Sequence, residues 1–326
     1  MKMLYVVSTY YHSLISCIKQ LIQCDSFADI AVTDYIPEGR ELADRIRNSG
    51  LFRETYYIGH INEYTSHNIF DYAVNQHKKN AELIEHQLPF SFTEYEEINV
   101  FHDDIWASRY LKDRRIRYRL MEDALDSFKT ISQTAFSYML PTNKIKTAIK
   151  KAFHIGYLFC GMDKSTVEIE VNDKSGVQIA YFAEKKLKEV PRKQMFDRLS
   201  DEDWNVISSI FVNELPDIKP HECIILLTQP LYEDGLVTSL EVQLNLYHKF
   251  VMDNMSDDKM LVIKPHPRDT ADYSALFPDS VILNKNMPSE VMNHIFDGSF
   301  YKALTFFSLA AKSINADQII QAGFNT

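Results

Sequence analysis

The sequence predicts an α/β protein of two domains, each a parallel sheet flanked by helices. Three observations carry this. Short apolar segments alternate with helix-patterned segments through about the first 125 residues. A second alternation begins at Glu222. Each connection between successive strand candidates is long enough to hold a helix, which parallel strands require and hairpins do not. The length, 326 residues, is also that of about two domains.

Met3 to Val7 is short, apolar and β-prone. The polar stretch Ser8 to His12 follows, and then Leu14, Ile15, Ile18, Leu21 and Ile22 recur at helical spacing. Asp29 to Thr33 is the next strand. Glu41 to Ser49 is a charged helix stopped by Gly50, and Glu54 to Ile58 is a strand. Tyr72 to His86 has helical spacing. Ile98 to His102 reads as a strand ending in Asp103-Asp104, with a helix from Ile105 to Leu111. Tyr118 to Met121 reads as a strand ending in Glu122-Asp123. Right-handed crossovers put all the post-strand loops at one edge of the sheet, where ligands of open α/β sheets bind.

In the middle, Val167 to Asn172 and Val177 to Phe182 suggest a small hairpin around Asp173-Lys174-Ser175-Gly176. Asp201 to Phe211 is a helix opened by a Ser200/Asp203 capping pair. Prolines 216 and 220 then interrupt the chain. The expected organisation is a first domain over 1–182, a linker region over 183–221 and a second domain over 222–326. In the second, Cys223 to Leu227, Lys259 to Ile263, Ser280 to Leu283 and Ala303 to Phe306 are strands. Ser239 to Met252 and Ser289 to Phe296 are helices, and Ser308 starts a last one.

Apolar residues make up 45% and charged residues 25%, ordinary for a folded globular chain. No run approaches the roughly 20 apolar residues of a membrane span. The first residues turn polar too quickly for a signal peptide, so a cytoplasmic location is expected. The formal charge of −10 argues against a nucleic-acid partner. Lys144, Lys146, Lys150 and Lys151, followed by Phe153 to Phe159, form a basic-apolar island. It reads either as a solvated helix face or as a peripheral contact with anionic lipid. Cys17, Cys24, Cys160 and Cys223 have neither zinc nor C-x-x-C spacing. With only 9 glycines the chain holds no dinucleotide or P-loop signature, and no metal site is expected.

Four polar segments could carry chemistry. Lys264-Pro265-His266-Pro267-Arg268 follows a strand, and its two prolines fix the backbone around one histidine beside two cations. Such a histidine can donate to an anionic leaving group. Glu122-Asp123 could supply a base, although by pattern alone an acidic turn or helix N-terminus is the better reading. Asp103-Asp104 resembles a metal-binding D-x-D loosely and suits helix capping better. Thr305 to Ala311 puts hydroxyls at a strand-to-helix junction, which suits a phosphate or a cap.

In this order, Glu122-Asp123, Thr228-Gln229-Pro230, Lys264 to Arg268 and a late Ser/Thr junction resemble the bacterial GT-B sialyltransferases. The likeness is to glycosyltransferase family 52, the lipooligosaccharide and capsular enzymes, and covers Leu4 to about Ser313. Ala124 stands where that family usually has glycine. The resemblance implies a GT-B fold, two Rossmann-like domains facing a central cleft. It implies inverting, metal-independent transfer of sialic acid from CMP-sialic acid to a terminal galactose, with an α2,3 linkage expected and no cofactor. Glu122 or Asp123 would be the base, with Asp123 favoured, and His266 would support the departing phosphate. Donor binding would fall to Lys264, Pro267, Arg268, Thr228, Gln229, Thr305 and Ser308. The acceptor side would hold Ser8, Thr9, Tyr10, His12 and Asp104. The expected partners are CMP-sialic acid and a galactose-terminated glycan, with no nucleic acid; a homodimer and a peripheral membrane contact stay open. Another sugar nucleotide on the same fold, and a non-catalytic glycan-binding relative, are the alternatives.

Overall fold

The computed structural model describes residues 1–23, 28–65, 71, 75–129, 157–177, 181–212, 215–306, 311 and 314–323. It divides into two units, Met1–Asp203 and Trp204–Thr326.

The first unit is built on a seven-stranded sheet of order β3-β2-β1-β4-β5-β6-β7. Its strands are β1 (Met3–Val7), β2 (Asp29–Thr33), β3 (Thr55–Ile58), β4 (Glu97–Val100), β5 (Tyr118–Met121), β6 (Thr166–Val171) and β7 (Leu187–Glu189). Every pairing is parallel; Val6, for example, stands opposite Ala31 on one side and Val100 on the other. All five residues of β1 are buried, as expected of a strand covered on both faces. Helix α1 (Tyr10–Ile22) starts at Thr9, whose hydroxyl accepts the His12 N–H at 3.1 Å. Helix α2 (Gly39–Asn48) ends before Gly50, whose φ of +66° suits glycine. Helices α3 (Gln76–Glu85) and α4 (Trp106–Asp113) follow. Trp106, Tyr110 and Phe92 pack with Ile98 and Leu120 in one core cluster of this unit. Gly161 sits where only a hydrogen fits, because a Cβ would meet Ile169 Cδ1 at 2.2 Å.

One expectation fails here. Val167 to Asn172 does not pair in a hairpin, since β6 lies parallel between β5 and β7. The turn at Asp173 to Gly176 is real, with Asp173 accepting the Ser175 N–H at 2.8 Å. It leads instead through the short helix α5 (Tyr181–Glu184) back to a parallel edge strand. The region expected to hold the linker, 183–221, does contain the division between the units, and it is structured. It carries β7, α6 (Arg192–Phe196) and α7 (Asp201–Phe211), and the division between units falls at Asp203/Trp204. The Ser200/Asp203 cap forms as read, each side chain accepting the other's N–H at 2.9 and 3.2 Å.

The second unit holds a parallel sheet of order β10-β9-β8-β11-β12. The strands are β8 (Cys223–Leu227), β9 (Met260–Lys264), β10 (Val281–Ile282), β11 (Lys302–Phe306) and β12 (Ile319–Ala322). Cys223, Ile225 and Leu227 join one core cluster while Ile224 and Leu226 join another, so β8 is buried on both faces. Helix α8 (Leu240–Met252) is capped by Ser239, which accepts the Val242 N–H at 3.2 Å. The helix expected over Ser289 to Phe296 is a 3-10 turn followed by a short α9 (Met292–Ile295). Ser308, Cys24 and the island from Lys144 to Phe153 lie outside the described residues. Cys17 and Cys223 are buried free thiols, and Cys160 is half-buried. Among the described residues no helix is long and apolar enough to cross a membrane.

Candidate active site

In the first sheet β1 lies between β2 and β4, so the winding reverses there. A switch point of this kind opens a crevice at the carboxyl ends of the strands. The loops after β1, β4 and β5 converge on it and bring together His12, His102 and Asp123.

His12 is 0% exposed. Its ring stacks on Phe101, with centroids 4.3 Å apart. Its Nδ1 accepts the Ser8 backbone N–H at 3.2 Å, with the Ser8 hydroxyl also at 3.2 Å. A backbone amide can only donate, so the neutral ring carries its proton on Nε2. That Nε2–H donates to Asp123 Oδ1 at 2.8 Å and to the Asp123 carbonyl at 2.9 Å. His102 Nε2 approaches the same Oδ1 at 3.1 Å. Asp123 is 30% exposed and His102 31%. Burial pushes the Asp123 carboxyl up, but the His12 hydrogen bond and the two histidine charges outweigh it, so its pKa falls below the usual value. Burial pulls the His12 imidazole down despite Asp123. The proton of this pair therefore sits on His12, and Asp123 is the anion. Among the described residues, Asp123 Oδ2 receives no hydrogen bond.

Glu122 faces the other way, as alternation along an extended segment requires. It is 1% exposed and accepts the Asn172 N–H at 2.8 Å. Burial pushes its carboxyl up to about 7, against the Asn172 hydrogen bond and the Arg192 charge. The structure places it against Asn172, where it pins the loop, rather than at the crevice. Tyr10 is buried, with its hydroxyl donating to the Pro37 carbonyl at 2.8 Å. Thr9 and Ser8 serve the cap and His12. Asp103 does not cap α4. It is buried, accepting from Tyr118 Oη at 2.5 Å and Gly161 N–H at 2.8 Å, beside Lys112 Nζ at 2.8 Å. Asp104 is exposed, with Oδ1 3.9 Å from His102 Nδ1.

In the second unit the loops after β8 and β9 are tied together. Thr228 Oγ1 accepts the His266 N–H at 3.1 Å and donates to Asp269 at 2.5 Å. Asp269 also accepts from Gln243 at 2.9 Å and Tyr273 at 2.8 Å. The Gln229 N–H donates to Tyr247 Oη at 2.5 Å. His266 Nδ1 accepts the Arg268 N–H at 3.1 Å, which leaves Nε2–H as the outward donor. Burial, Arg268 and Lys264 hold its pKa down at about 4, so the imidazole is neutral at physiological pH. Pro267 is half-buried. The two cations do not stand free beside it as the sequence suggested. Lys264 turns inward to the Pro265 and Lys285 carbonyls, both at 2.9 Å, and burial pulls its pKa down to about 7. Arg268 pairs with Asp234 at 2.7 Å. Thr305 is wholly buried on β11.

His102 is the site residue that sequence reasoning missed. It was read as the last residue of a strand, but β4 stops at Val100. Its signal was position, a histidine just past a strand end beside the switch point. The donor atoms of His12, His102 and Asp123 lie within 4.8 Å of one another, as a metal site needs. The tautomer of His12 fits hydrogen bonding better, because the Nε2 a metal would take already holds the proton.

The sequence model of glycosyltransferase family 52 matches residues 49–322. An uncharacterized protein of Haemophilus influenzae is 42% identical over 98 residues, 30% of this chain. That match spans 31% of the relative, under a third of its length. Among solved structures, the α/β-galactoside α-2,3-sialyltransferase of Photobacterium phosphoreum aligns over 100% of this chain and 91% of its own, at TM-score 0.56 and 11% identity. The GT-B domain of a Photobacterium damselae sialyltransferase aligns over 98% and 89%, at TM-score 0.54 and 13% identity. At such identities the likeness is one of fold: two parallel-sheet α/β domains of the GT-B type.

Proposed function

The chain belongs to glycosyltransferase family 52, and from that membership we propose that it is an inverting sialyltransferase. It moves sialic acid from CMP-sialic acid to a terminal galactose of a bacterial capsule or lipooligosaccharide glycan, in an α2,3 linkage. The observation that carries this reading is Asp123, an anionic carboxylate with one oxygen bonded by His12 and approached by His102, and the other unengaged.

In the reaction, the acceptor hydroxyl gives its proton to Asp123 Oδ2 as its oxygen bonds to the anomeric carbon. The bond from that carbon to the CMP phosphate breaks, and the electron pair leaves on the phosphate. Inversion follows from a single in-line displacement. His266 donates its Nε2–H to the phosphate, stabilising charge that grows there. A monophosphate leaves with less charge than a diphosphate, so this neutral donor suits it without a metal. Thr228 supports the reading by holding the His266 backbone in place. No cofactor is needed, and peripheral membrane contact would serve a membrane-borne acceptor.

A thermal-shift titration with CMP, UDP and GDP in the presence of a chelator tests the donor class, since a ligand that binds only the folded state raises the melting temperature. Stabilisation by CMP alone is expected. Stabilisation by UDP or GDP instead would move the enzyme to another sugar nucleotide.

A further inference from the structure

We propose that His12 and His102 are positioning residues that clamp one carboxylate oxygen of Asp123 and reserve the other for the acceptor proton. This rests on the reading of Asp123 as the base. A histidine–carboxylate pair can work either way round. The histidine can be the base with the carboxylate orienting it, or the reverse. Two observations choose the reverse here. His12 is 0% exposed and stacked on Phe101, so it meets no substrate. Its Nδ1 is taken by the Ser8 N–H, so it has no lone pair left to receive a proton. It can only donate, and both its contacts at Nε2 are to Asp123.

His102 completes the clamp from a different loop. Its Nε2 lies 3.1 Å from the same Oδ1, and its ring stands edge-on to His12 with centroids 5.2 Å apart. The His12 hydrogen bond holds Oδ1, the nearby His102 nitrogen adds a charge contact on the same oxygen, and Oδ2 is left as the remaining acceptor. Among the described residues, few titratable groups face Asp123. His12 comes from α1 and His102 from the loop after β4. Asp104 bears on it through His102, and Glu122 turns to Asn172. The proton released by the acceptor hydroxyl goes to Oδ2 as the new carbon–oxygen bond forms; the clamp supplies no proton of its own.

The clamp makes a prediction about pH that a packing role does not. With the donor at position 12 removed, burial of the Asp123 carboxyl stands unopposed on that side. Its pKa rises, and the acid limb of kcat/KM moves to higher pH. The test compares pH profiles of the wild type, His12→Ala, His12→Gln and His102→Ala, with CMP-sialic acid and a galactoside. Nitrogen-15 histidine NMR of the full chain reads the His12 tautomer separately. An upward displacement is expected for His12→Ala, because the carboxylate loses the hydrogen bond that favours its charged form while it stays buried. His12→Gln keeps a donor at the same reach and restores much of the wild-type profile, and His102→Ala moves the limb in the same direction by less. The NMR spectrum shows an Nε2–H tautomer that His12 keeps through neutral pH. An unmoved acid limb in His12→Ala, or an Nδ1–H tautomer in the wild type, overturns the clamp. Absence of turnover in the wild type counts against the sialyltransferase reading, and the tautomer then decides the clamp alone.

Discussion

The Arg268 N–H occupies His266 Nδ1, and burial with two neighbouring cations keeps the ring neutral above a pKa of about 4. In the proposed reaction His266 therefore acts as a neutral hydrogen-bond donor to the leaving phosphate rather than as a charged acid. His266→Ala should lower kcat by about 10²–10³, the loss seen when one donor to a developing oxyanion is removed. His266→Gln places an amide N–H at similar reach and should retain a larger share, with nucleotide binding little changed in both. Steady-state kinetics with a CMP-binding measurement checks this; an alanine variant with wild-type kcat removes His266 from the chemistry. The loop residues were legible in the sequence because polar side chains after apolar strands collect at one sheet edge. Which way each points was not. Glu122 and Asp123 are adjacent and alternate in direction, and Asn172, brought alongside by β6, holds Glu122 as the inward one and leaves Asp123 at the crevice.

At the scale of elements, the end of β5 is pinned to the end of β6 through the buried Glu122 carboxylate. A carboxyl whose pKa is raised on folding binds its proton more tightly folded than unfolded. Its contribution to stability is complete below the ordinary value of 4.5 and is lost as pH rises through about 7. The stability of the wild type relative to Glu122→Gln should therefore fall between those two values and level off above them. Urea unfolding at a series of pH values reads the difference, and parallel curves would remove Glu122 from this role. The alternation of strands and helices was readable because apolar periodicity survives in each segment. Strand direction in the middle was not. The turn at Asp173 to Gly176 carries hairpin chemistry, yet a turn only reverses the chain locally, and α5 returns it to a parallel β7. The edge strand β12 was also unread, since alternating exposure leaves it a weak apolar signal.

At the scale of the whole molecule, each unit closes its own core around a central strand, β1 in one and β8 in the other. Each then presents histidine-bearing loops at the carboxyl ends of its strands. Two such units were legible from the repeated βα alternation, and the division at Asp203/Trp204 falls within the region expected to hold it; that β7 continues the first sheet past residue 182 was not legible. The family and the fold agree on a glycosyltransferase, while the donor and acceptor rest on the chemistry of Asp123 and His266. The most direct measurement is acceptor-dependent release of CMP from CMP-sialic acid, in a chelator, by the wild type and Asp123→Asn. Rapid release with a galactose-terminated acceptor, giving a product of inverted configuration and lost in Asp123→Asn, is the predicted result. Undiminished release by Asp123→Asn, or turnover confined to a uridine or guanosine diphosphate sugar, would contradict it.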